Sequence, residues 1–269
     1  MSPLEDHFTA DRRCLTAALM LALIGLCGCG RGPEQPVTIA AAADLQFAME
    51  DVLAAFRAAH MGMDVRVDYG SSGSFYAQIQ NHAPFDLFLS ADIQYPRKLA
   101  DEGLAVSGSL FPYATGRIVL WTPSSSPIDV SRLGWAALDD PAVHHIAVAN
   151  PDHAPYGRAA VAAMKSAGIF DRESNKLVMG ENISQTMQFV QSGAAEIGVV
   201  ALSLALAPAV RDQGKYWEIP ADSYPPIEQG GVILTRARGS RTASALREYL
   251  MSAACRDILK RYGFYPPKN

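Results

Sequence analysis

The stretch Val37-Thr38-Ile39-Ala40-Ala41-Ala42-Ala43-Asp44-Leu45 shows how this chain changes from strand to helix within a few residues. Residues 37–42 are mostly apolar and have the length of a buried strand, whereas residues 45–59 repeat apolar side chains with the period of a helix. The same alternation continues along the chain to residue 262. It predicts an α/β fold built on largely parallel sheets.

The later elements group into two sets. We predict helices over residues 74–80, 95–102, 156–166, 184–191 and 241–262, and strands over residues 65–69, 87–90, 117–121, 145–148, 177–179, 197–200 and 231–235. The last strand and helix are able to return to the first set. This predicts two α/β lobes, one of residues 37–114 with 225–269 and one of residues 115–224, with a ligand cleft between them.

The N-terminus has the pattern of an export signal. Arg12 and Arg13 precede an apolar run over residues 14–26, which is too short to span a membrane comfortably. The run ends in Leu26-Cys27-Gly28-Cys29, which resembles a bacterial lipobox. We therefore predict a lipoprotein signal peptide over residues 1–28, lipidation of Cys29 and a linker over residues 30–36. Ordinary signal cleavage within residues 28–36 is the alternative.

Charge and cysteine content exclude several classes of protein. The chain of 269 residues has a net charge of −4, so it lacks the broad basic surface that a nucleic-acid partner would need. Only Cys255 would remain as a free thiol in the exported chain, because Cys14 and Cys27 leave with the signal and Cys29 carries lipid. No intramolecular disulfide is then expected.

Four strand ends run directly into small or polar residues and then into a helix. At such junctions the first backbone N–H groups of the helix have no partner within it, and the helix dipole is positive. Several such ends meeting in one cleft would hold an anion without lysine or arginine. Each also has a simpler explanation, since Asp44 and Ser184 could be helix caps, the glycine-rich segment a turn, and residues 151–155 only a loop shaped by proline. The junctions are residues 41–45, 69–74, 149–157 and 180–184.

Catalytic and metal-binding patterns are weak in this sequence. His144, His145 and His153 lie close together, but no further residue completes a metal-binding set. We find no nucleophile–base pair, and the only pair that an enzyme could use is Asp44 with His153. The chain is therefore expected to be a binding protein without a cofactor, not an enzyme.

Five motifs together carry a family resemblance that extends over nearly all of residues 37–265. They are Ala40-Ala41-Ala42-Ala43-Asp44-Leu45, Gly70-Ser71-Ser72-Gly73-Ser74, Ala83-Pro84-Phe85-Asp86-Leu87-Phe88-Leu89-Ser90-Ala91-Asp92, Asn150-Pro151-Asp152-His153-Ala154-Pro155-Tyr156-Gly157 and Lys260-Arg261-Tyr262-Gly263-Phe264. In this order and spacing the chain resembles the periplasmic molybdate-binding proteins of ABC transporters. The resemblance implies the type II periplasmic-binding-protein fold, in which two lobes close over an oxyanion.

Carried across residue by residue, the resemblance places the ligand at four positions. It implies that Ser72, Tyr156 and the backbone N–H of Ile183 hold molybdate, with Asp44 at the remaining position. Asp44 is a departure, because it offers an acceptor where the family usually has a donor. Ala201 is a second departure, because some relatives have a tyrosine there, and the phenol of Tyr156 would be a substitute.

The resemblance also implies how the protein works. A monomer outside the cytoplasm, anchored through Cys29, would capture molybdate or tungstate and deliver it to a membrane permease that is driven by a cytoplasmic ATPase. The acceptor at Asp44 keeps sulfate or hydrogen phosphate open as the ligand. A sensor subunit that presents its ligand-bound shape to a membrane partner is a further alternative.

Overall fold

The computed structural model describes residues 36–267, within a compact unit that extends from Gln35 to the C-terminus. The predicted signal peptide, the lipidation of Cys29 and the linker up to residue 35 lie outside the described residues. No helix among residues 36–267 has the length and apolar character needed to cross a membrane.

Ten strands and ten α-helices make up the described part of the chain. The strands are β1 (Val37–Ala42), β2 (Val65–Gly70), β3 (Leu87–Ser90), β4 (Phe111–Gly116), β5 (Ile118–Pro123), β6 (Ile146–Ala149), β7 (Leu177–Gly180), β8 (Ile197–Ala201), β9 (Gly214–Glu218) and β10 (Ile227–Ile233). The α-helices are α1 (Gln46–Ala59), α2 (Ser72–Gln80), α3 (Gln94–Asp101), α4 (Val130–Leu133), α5 (Pro155–Ser166), α6 (Phe170–Glu173), α7 (Ile183–Gln191), α8 (Leu202–Ala205), α9 (Arg241–Leu250) and α10 (Ala253–Arg261). Short 3₁₀ helices cover Ala43–Leu45, Gly134–Asp139, Ser174–Lys176 and Thr235–Ala237.

The strands form two five-stranded sheets. The first has the order β2-β1-β3-β10-β4 and the second the order β7-β6-β8-β5-β9. Strands β1, β2 and β3 run parallel, as do β6, β7 and β8. Their carboxyl ends therefore share one edge of each sheet, and the helix that follows each strand begins there.

The two-lobe α/β fold is confirmed, since β10 returns to the first sheet after the chain has built the second. The sheets are mixed, however, and not largely parallel. Strand β10 pairs antiparallel with β3 and β4, and β5 pairs antiparallel with β8 and β9. These antiparallel strands lie at or next to the places where the chain passes between the sheets. The predicted lobe boundaries at residues 114/115 and 224/225 stay a prediction.

Three features of the fold differ from the sequence-based expectation. The predicted helix over residues 241–262 is two helices, because Ser252 starts a new one and its hydroxyl accepts the N–H of Cys255. Strands β4 and β9 were not predicted. Strand β10 begins at Ile227, four residues before the expected start. The early part was missed because Gln229 and the two glycines after it interrupt the run of apolar residues that predicts a strand.

Candidate functional site

All four strand-to-helix junctions meet at one small cavity. Its volume is about 10 Å³, which is roughly the space of one water molecule. The four residues that the resemblance singled out, Asp44, Ser72, Tyr156 and Ile183, all line it. The other lining residues are Ala42, Ala43, Gly70, Ser71, Ala91, Ala154, Pro155 and Asn182.

The local sequence at each junction explains why a helix begins there. The Ser71 hydroxyl accepts the N–H of Ser74 and so caps α2. The side chain of Asn182 accepts the N–H groups of Ser184 and Gln185, each at 3.0 Å, and so caps α7. Helix α5 begins with Pro155, whose ring fixes the backbone angle that a first helical turn requires.

Three backbone N–H groups at these helix starts have no hydrogen-bond acceptor within residues 36–267. They belong to Ser72, Tyr156 and Ile183, in the first turns of α2, α5 and α7. A buried amide without a partner is costly, and the positive end of each helix dipole lies at the same place. This arrangement suits an anion, which would accept all three hydrogen bonds.

The Ser72 hydroxyl adds a fourth donor to the cavity. Its Oγ accepts the backbone N–H of Ala91 at 2.9 Å, and the side chain is 1% exposed. Because the oxygen already accepts this bond, the hydroxyl hydrogen remains to be donated into the cavity. The hydroxyl of Ser72 is therefore available to an anion, and the ligand role that the resemblance implies for it stays a prediction.

The phenol of Tyr156 is held by hydrogen bonds to two other side chains. Its hydroxyl donates to Oδ2 of Asp44 at 2.8 Å and accepts a hydrogen bond from Nε2 of Gln229 at 3.1 Å. The expectation that this phenol replaces the tyrosine absent at Ala201 stays a prediction, and here its hydrogen is already donated to Asp44. The backbone N–H is the group of Tyr156 that is available to an anion.

Asp44 is a buried carboxyl at the wall of the cavity, with an exposed fraction of 1%. Its Oδ2 also accepts a hydrogen bond from Nε2 of Gln229 at 2.6 Å, whereas its Oδ1 has no partner among the described residues. Burial raises the pKa of Asp44 to about 6, although the hydrogen bonds from Gln229 and Tyr156 act in the opposite direction. The alternative that Asp44 caps its own helix is wrong, because its side chain makes no capping hydrogen bond.

Gln229 belongs to this site although the sequence analysis did not identify it. It is fully buried on β10, two residues after buried Ile227, so the alternation of a strand could have placed it on the inner face. Gly116 lies against the same group. A Cβ atom at Gly116 would lie 2.3 Å from the Tyr156 hydroxyl oxygen and 2.9 Å from Nε2 of Gln229, so only glycine fits.

Asp44 and His153, the pair that an enzyme could have used, are not brought together. The hydrogen-bond partners of Asp44 are Tyr156 and Gln229, whereas Nε2 of His153 lies 3.1 Å from both the carbonyl oxygen and Oε1 of Glu181. The carbonyl oxygen of His153 accepts hydrogen bonds from the Ser71 hydroxyl and from the N–H of Gly73. His153 therefore joins the two junctions structurally.

Several contacts hold the two sheets together around the cavity. The Ser184 hydroxyl lies 3.0 Å from the carbonyl oxygen of Ala43 and 2.9 Å from Oε1 of Gln46. The Ser203 hydroxyl donates to the carbonyl oxygen of Asp44 at 2.8 Å. These hydrogen bonds join elements that follow strands of different sheets, so the cleft is closed over the site.

A second cavity of about 340 Å³ adjoins the first and shares Ala91 and Pro155 with it. Arg158 on α5 crosses its wall and binds Asp92 beside α3 at 2.6 Å. The Arg158 guanidinium also lies over the ring of Tyr95 and donates to its hydroxyl. This ion pair forms a bridge between the two sides of the cleft next to the small cavity.

Metal-binding clusters are absent from the part of the chain that the structure describes. No group of three His, Cys, Asp or Glu side chains there is arranged to hold a metal ion. The donors around the small cavity are N–H and O–H groups.

Comparison with known proteins finds a family of solute-binding proteins and, among individual proteins, molybdate-binding relatives. The profile of the family described as bacterial extracellular solute-binding protein matches residues 37–265. The molybdate-binding protein ModA of Azotobacter vinelandii is 41% identical over 247 residues, which cover 91% of this chain and 96% of that protein. ModA of Rhodobacter capsulatus is 39% identical over 203 residues, covering 76% of this chain and 78% of that protein.

The fold has a close match among solved structures. The Azotobacter vinelandii periplasmic molybdate-binding protein superposes with a TM-score of 0.79 and a sequence identity of 31%. The match covers 86% of this chain and all of that chain.

Proposed function

Because the chain belongs to the family of bacterial extracellular solute-binding proteins, we propose that it captures molybdate or tungstate and delivers it to an ABC transporter. The binding site in this proposal is the small cavity formed by the four junctions, which would widen around a tetrahedral oxyanion because it has the space of about one water molecule here. The named function of the relatives at 41% and 39% identity supports the choice of molybdate.

The observation that carries the proposal is the convergence of four unpaired donors, all from buried residues, at one small cavity. The N–H groups of Ser72, Tyr156 and Ile183 and the Ser72 hydroxyl would each donate to an oxygen of the anion. Hydrogen bonds to a charged group contribute about 1.5–3 kcal/mol each, so neutral donors suffice for tight binding. A tetrahedral oxyanion has enough oxygens to accept from donors on different sides.

Closure of the cleft would make these hydrogen bonds strong. The anion first meets the donors of one lobe, and closing brings the donors of the other lobe onto it. Excluding water lowers the local dielectric constant and strengthens each charge–dipole interaction. The contacts of Ser184 and Ser203 across the cleft support such a closed state. The radius of the closed cavity would then select among anions.

Delivery requires partners outside this chain. We propose a membrane permease with a cytoplasmic ATPase as the recipient, and a location outside the cytoplasm. The periplasmic location named for the solved relative supports this, and residues 14–29 have the sequence pattern of a lipoprotein signal. Lipidation of Cys29 would keep the protein near the permease.

Asp44 favours one alternative ligand, an oxyanion that carries a proton, such as hydrogen phosphate. An ionised carboxylate about 4 Å from a dianion would repel it by roughly 8 kcal/mol at an effective dielectric constant near 20. The unpartnered Oδ1 of Asp44 would instead accept a hydrogen bond from a hydrogen-bearing anion. Sulfate has no proton to donate at neutral pH and gains nothing from Asp44.

Calorimetric titration of the purified protein with molybdate, tungstate, sulfate and phosphate tests the proposal. We expect submicromolar dissociation constants for molybdate and tungstate, and at least about hundredfold weaker binding of sulfate and phosphate, equivalent to roughly 2.7 kcal/mol. Submicromolar phosphate binding without heat from molybdate would assign the site to phosphate. An absence of binding by all four anions would refute the proposed function.

A further inference from the structure

The carboxyl group of Asp44 is a hydrogen-bond acceptor among the donors that line the small cavity, and only one of its two oxygens has hydrogen-bond partners. Oδ2 of Asp44 has two partners, the Tyr156 hydroxyl and the Gln229 amide, whereas Oδ1 is buried without any hydrogen bond among residues 36–267. Asp44 also lines the cavity that holds the free N–H groups. Oδ1 is therefore a buried polar atom that the protein itself leaves unpaired beside an anion site.

The surroundings of Asp44 provide no compensating positive charge. The groups that face it are the phenols of Tyr113 on β4 and Tyr156 on α5 and the neutral amide of Gln229 on β10. Helices α7 and α8 contribute the hydroxyls of Ser184 and Ser203, which bond to backbone carbonyl oxygens of the 3₁₀ helix that carries Asp44. No Lys, Arg or His side chain of the described part of the chain bonds to its carboxyl group.

From this geometry we infer that Asp44 and the bound oxyanion share one proton, so that a dianion binds together with one proton from water. The inference rests on the proposed function and deepens it. The proton lies between Oδ1 of Asp44 and an oxygen of the anion, so Oδ1 gains the partner that it lacks. Oδ2 keeps its two donors from Tyr156 and Gln229, which orient the carboxyl group.

The proton balance is the same for two descriptions of the complex. A dianion with a protonated Asp44 and a hydrogen-bearing monoanion with an ionised Asp44 contain the same atoms and the same total charge of −2. A dianion with an ionised Asp44 would place a charge of −3 in a site of neutral donors. Binding above neutral pH therefore takes up one proton from solvent, since burial raises the pKa of Asp44 only to about 6 before the anion enters.

The number of protons taken up can be measured directly. Molybdate is titrated into the purified protein at pH 7.5 in two buffers with different ionisation enthalpies, and the difference in heat gives the proton count. We expect about one proton per molybdate. We also expect the dissociation constant to rise by about tenfold for each pH unit above pH 7, because an ionised Asp44 must be protonated first.

Substitution identifies the group that takes up the proton. Asp44→Asn keeps an acceptor for Tyr156 and Gln229 and places an amide donor where Oδ1 lies, so it should bind molybdate without proton uptake and with pH-independent affinity. Glu181→Gln is the matched control, because Glu181 is an exposed carboxylate at the neighbouring junction that contacts Ser74 and His153. This control should retain the uptake of one proton.

The outcomes separate the inference from the proposed function. Molybdate binding with no proton uptake and with pH-independent affinity in the natural protein would overturn the inference and leave the proposed function in place. Uptake that persists in Asp44→Asn would also overturn it. An absence of binding by every oxyanion would overturn both. If Asp44→Asn does not fold, the proton count of the natural protein still decides the matter.

Discussion

Ser72 shows how one side chain can be both fixed in place and available to a ligand. Its oxygen accepts the N–H of Ala91, which holds the hydroxyl against the end of β3, and its hydrogen remains to be donated. Ser74, two residues later in the same helix, has the opposite arrangement. Its hydroxyl donates to Glu181 at the surface and takes no part in lining the cavity.

At the residue scale we predict that Ser72→Ala weakens molybdate binding by about 10- to 100-fold, because one hydrogen bond to a charged ligand is lost, worth roughly 1.5–3 kcal/mol. Ser74→Ala is the matched control and should change the dissociation constant by less than about twofold, since an exposed hydrogen bond contributes little. Calorimetric titration of both variants provides the measurement. Equal affinities for Ser72→Ala and the natural protein would exclude the Ser72 hydroxyl from the binding site.

At the scale of the elements, the first residues of the helices supply the backbone N–H donors of the site. Helix α7 begins at Ile183 because Asn182 caps it with two hydrogen bonds, and this cap fixes the direction in which the Ile183 N–H points. The same kind of cap occurs far from the cavity at α10, where Ser252 accepts the N–H of Cys255. The two caps therefore allow the effect on stability to be separated from the effect on binding.

At the element scale we predict that Asn182→Ala lowers both stability and affinity. Loss of the cap should reduce the free energy of unfolding by about 1 kcal/mol, and the displaced Ile183 N–H should weaken molybdate binding by roughly tenfold, equivalent to about 1.4 kcal/mol. Ser252→Ala should reduce stability similarly and leave affinity unchanged. Denaturant unfolding and calorimetry measure the two effects. A loss of affinity in both variants would show that binding follows global stability.

On the scale of the whole molecule, the site is lined by elements that follow strands of both sheets, and contacts between them hold it together. Arg158 bridges the cleft by binding Asp92 and lying over Tyr95. Arg158 comes from α5 on one side of the adjoining cavity, whereas Asp92 and Tyr95 belong to α3 and the residues before it on the other side. The ion pair is partly exposed, so water and salt screen it. We therefore expect it to favour closure modestly.

Arg158→Gln should increase the dissociation constant for molybdate by about two- to fivefold, in keeping with the small contribution of exposed ion pairs. The increase should appear in the dissociation rate, because the bridge forms after the anion is bound. Arg261→Gln is the control, since Arg261 pairs with Asp51 within one lobe, and it should bind like the natural protein. Stopped-flow displacement measures the rates. Identical rates for both variants would show that the bridge does not stabilise closure.

The sequence by itself determined the alternation of strands and helices and the four junctions. Short apolar runs followed by small polar residues are local patterns, and local patterns specify where a helix starts and which N–H groups it leaves unpaired. The four junctions could therefore be placed at one cleft, whereas the choice of Asp44, Ser72, Tyr156 and Ile183 within them came from the family resemblance. Helix 241–262 was overextended because the capping role of Ser252 was not recognised.

Only the tertiary structure decided what the side chains at those junctions do. Gln229 reaches Asp44 from 185 residues away, and Tyr156 reaches it from 112 residues away. Neither partner can be identified from the spacing of residues along the sequence. The contacts depend on how the folded chain brings Tyr156 and Gln229 together next to Gly116, where it crosses between the sheets. The unpaired Oδ1 of Asp44 likewise depends on burial from several elements at once, and burial of that kind is a property of the folded chain alone.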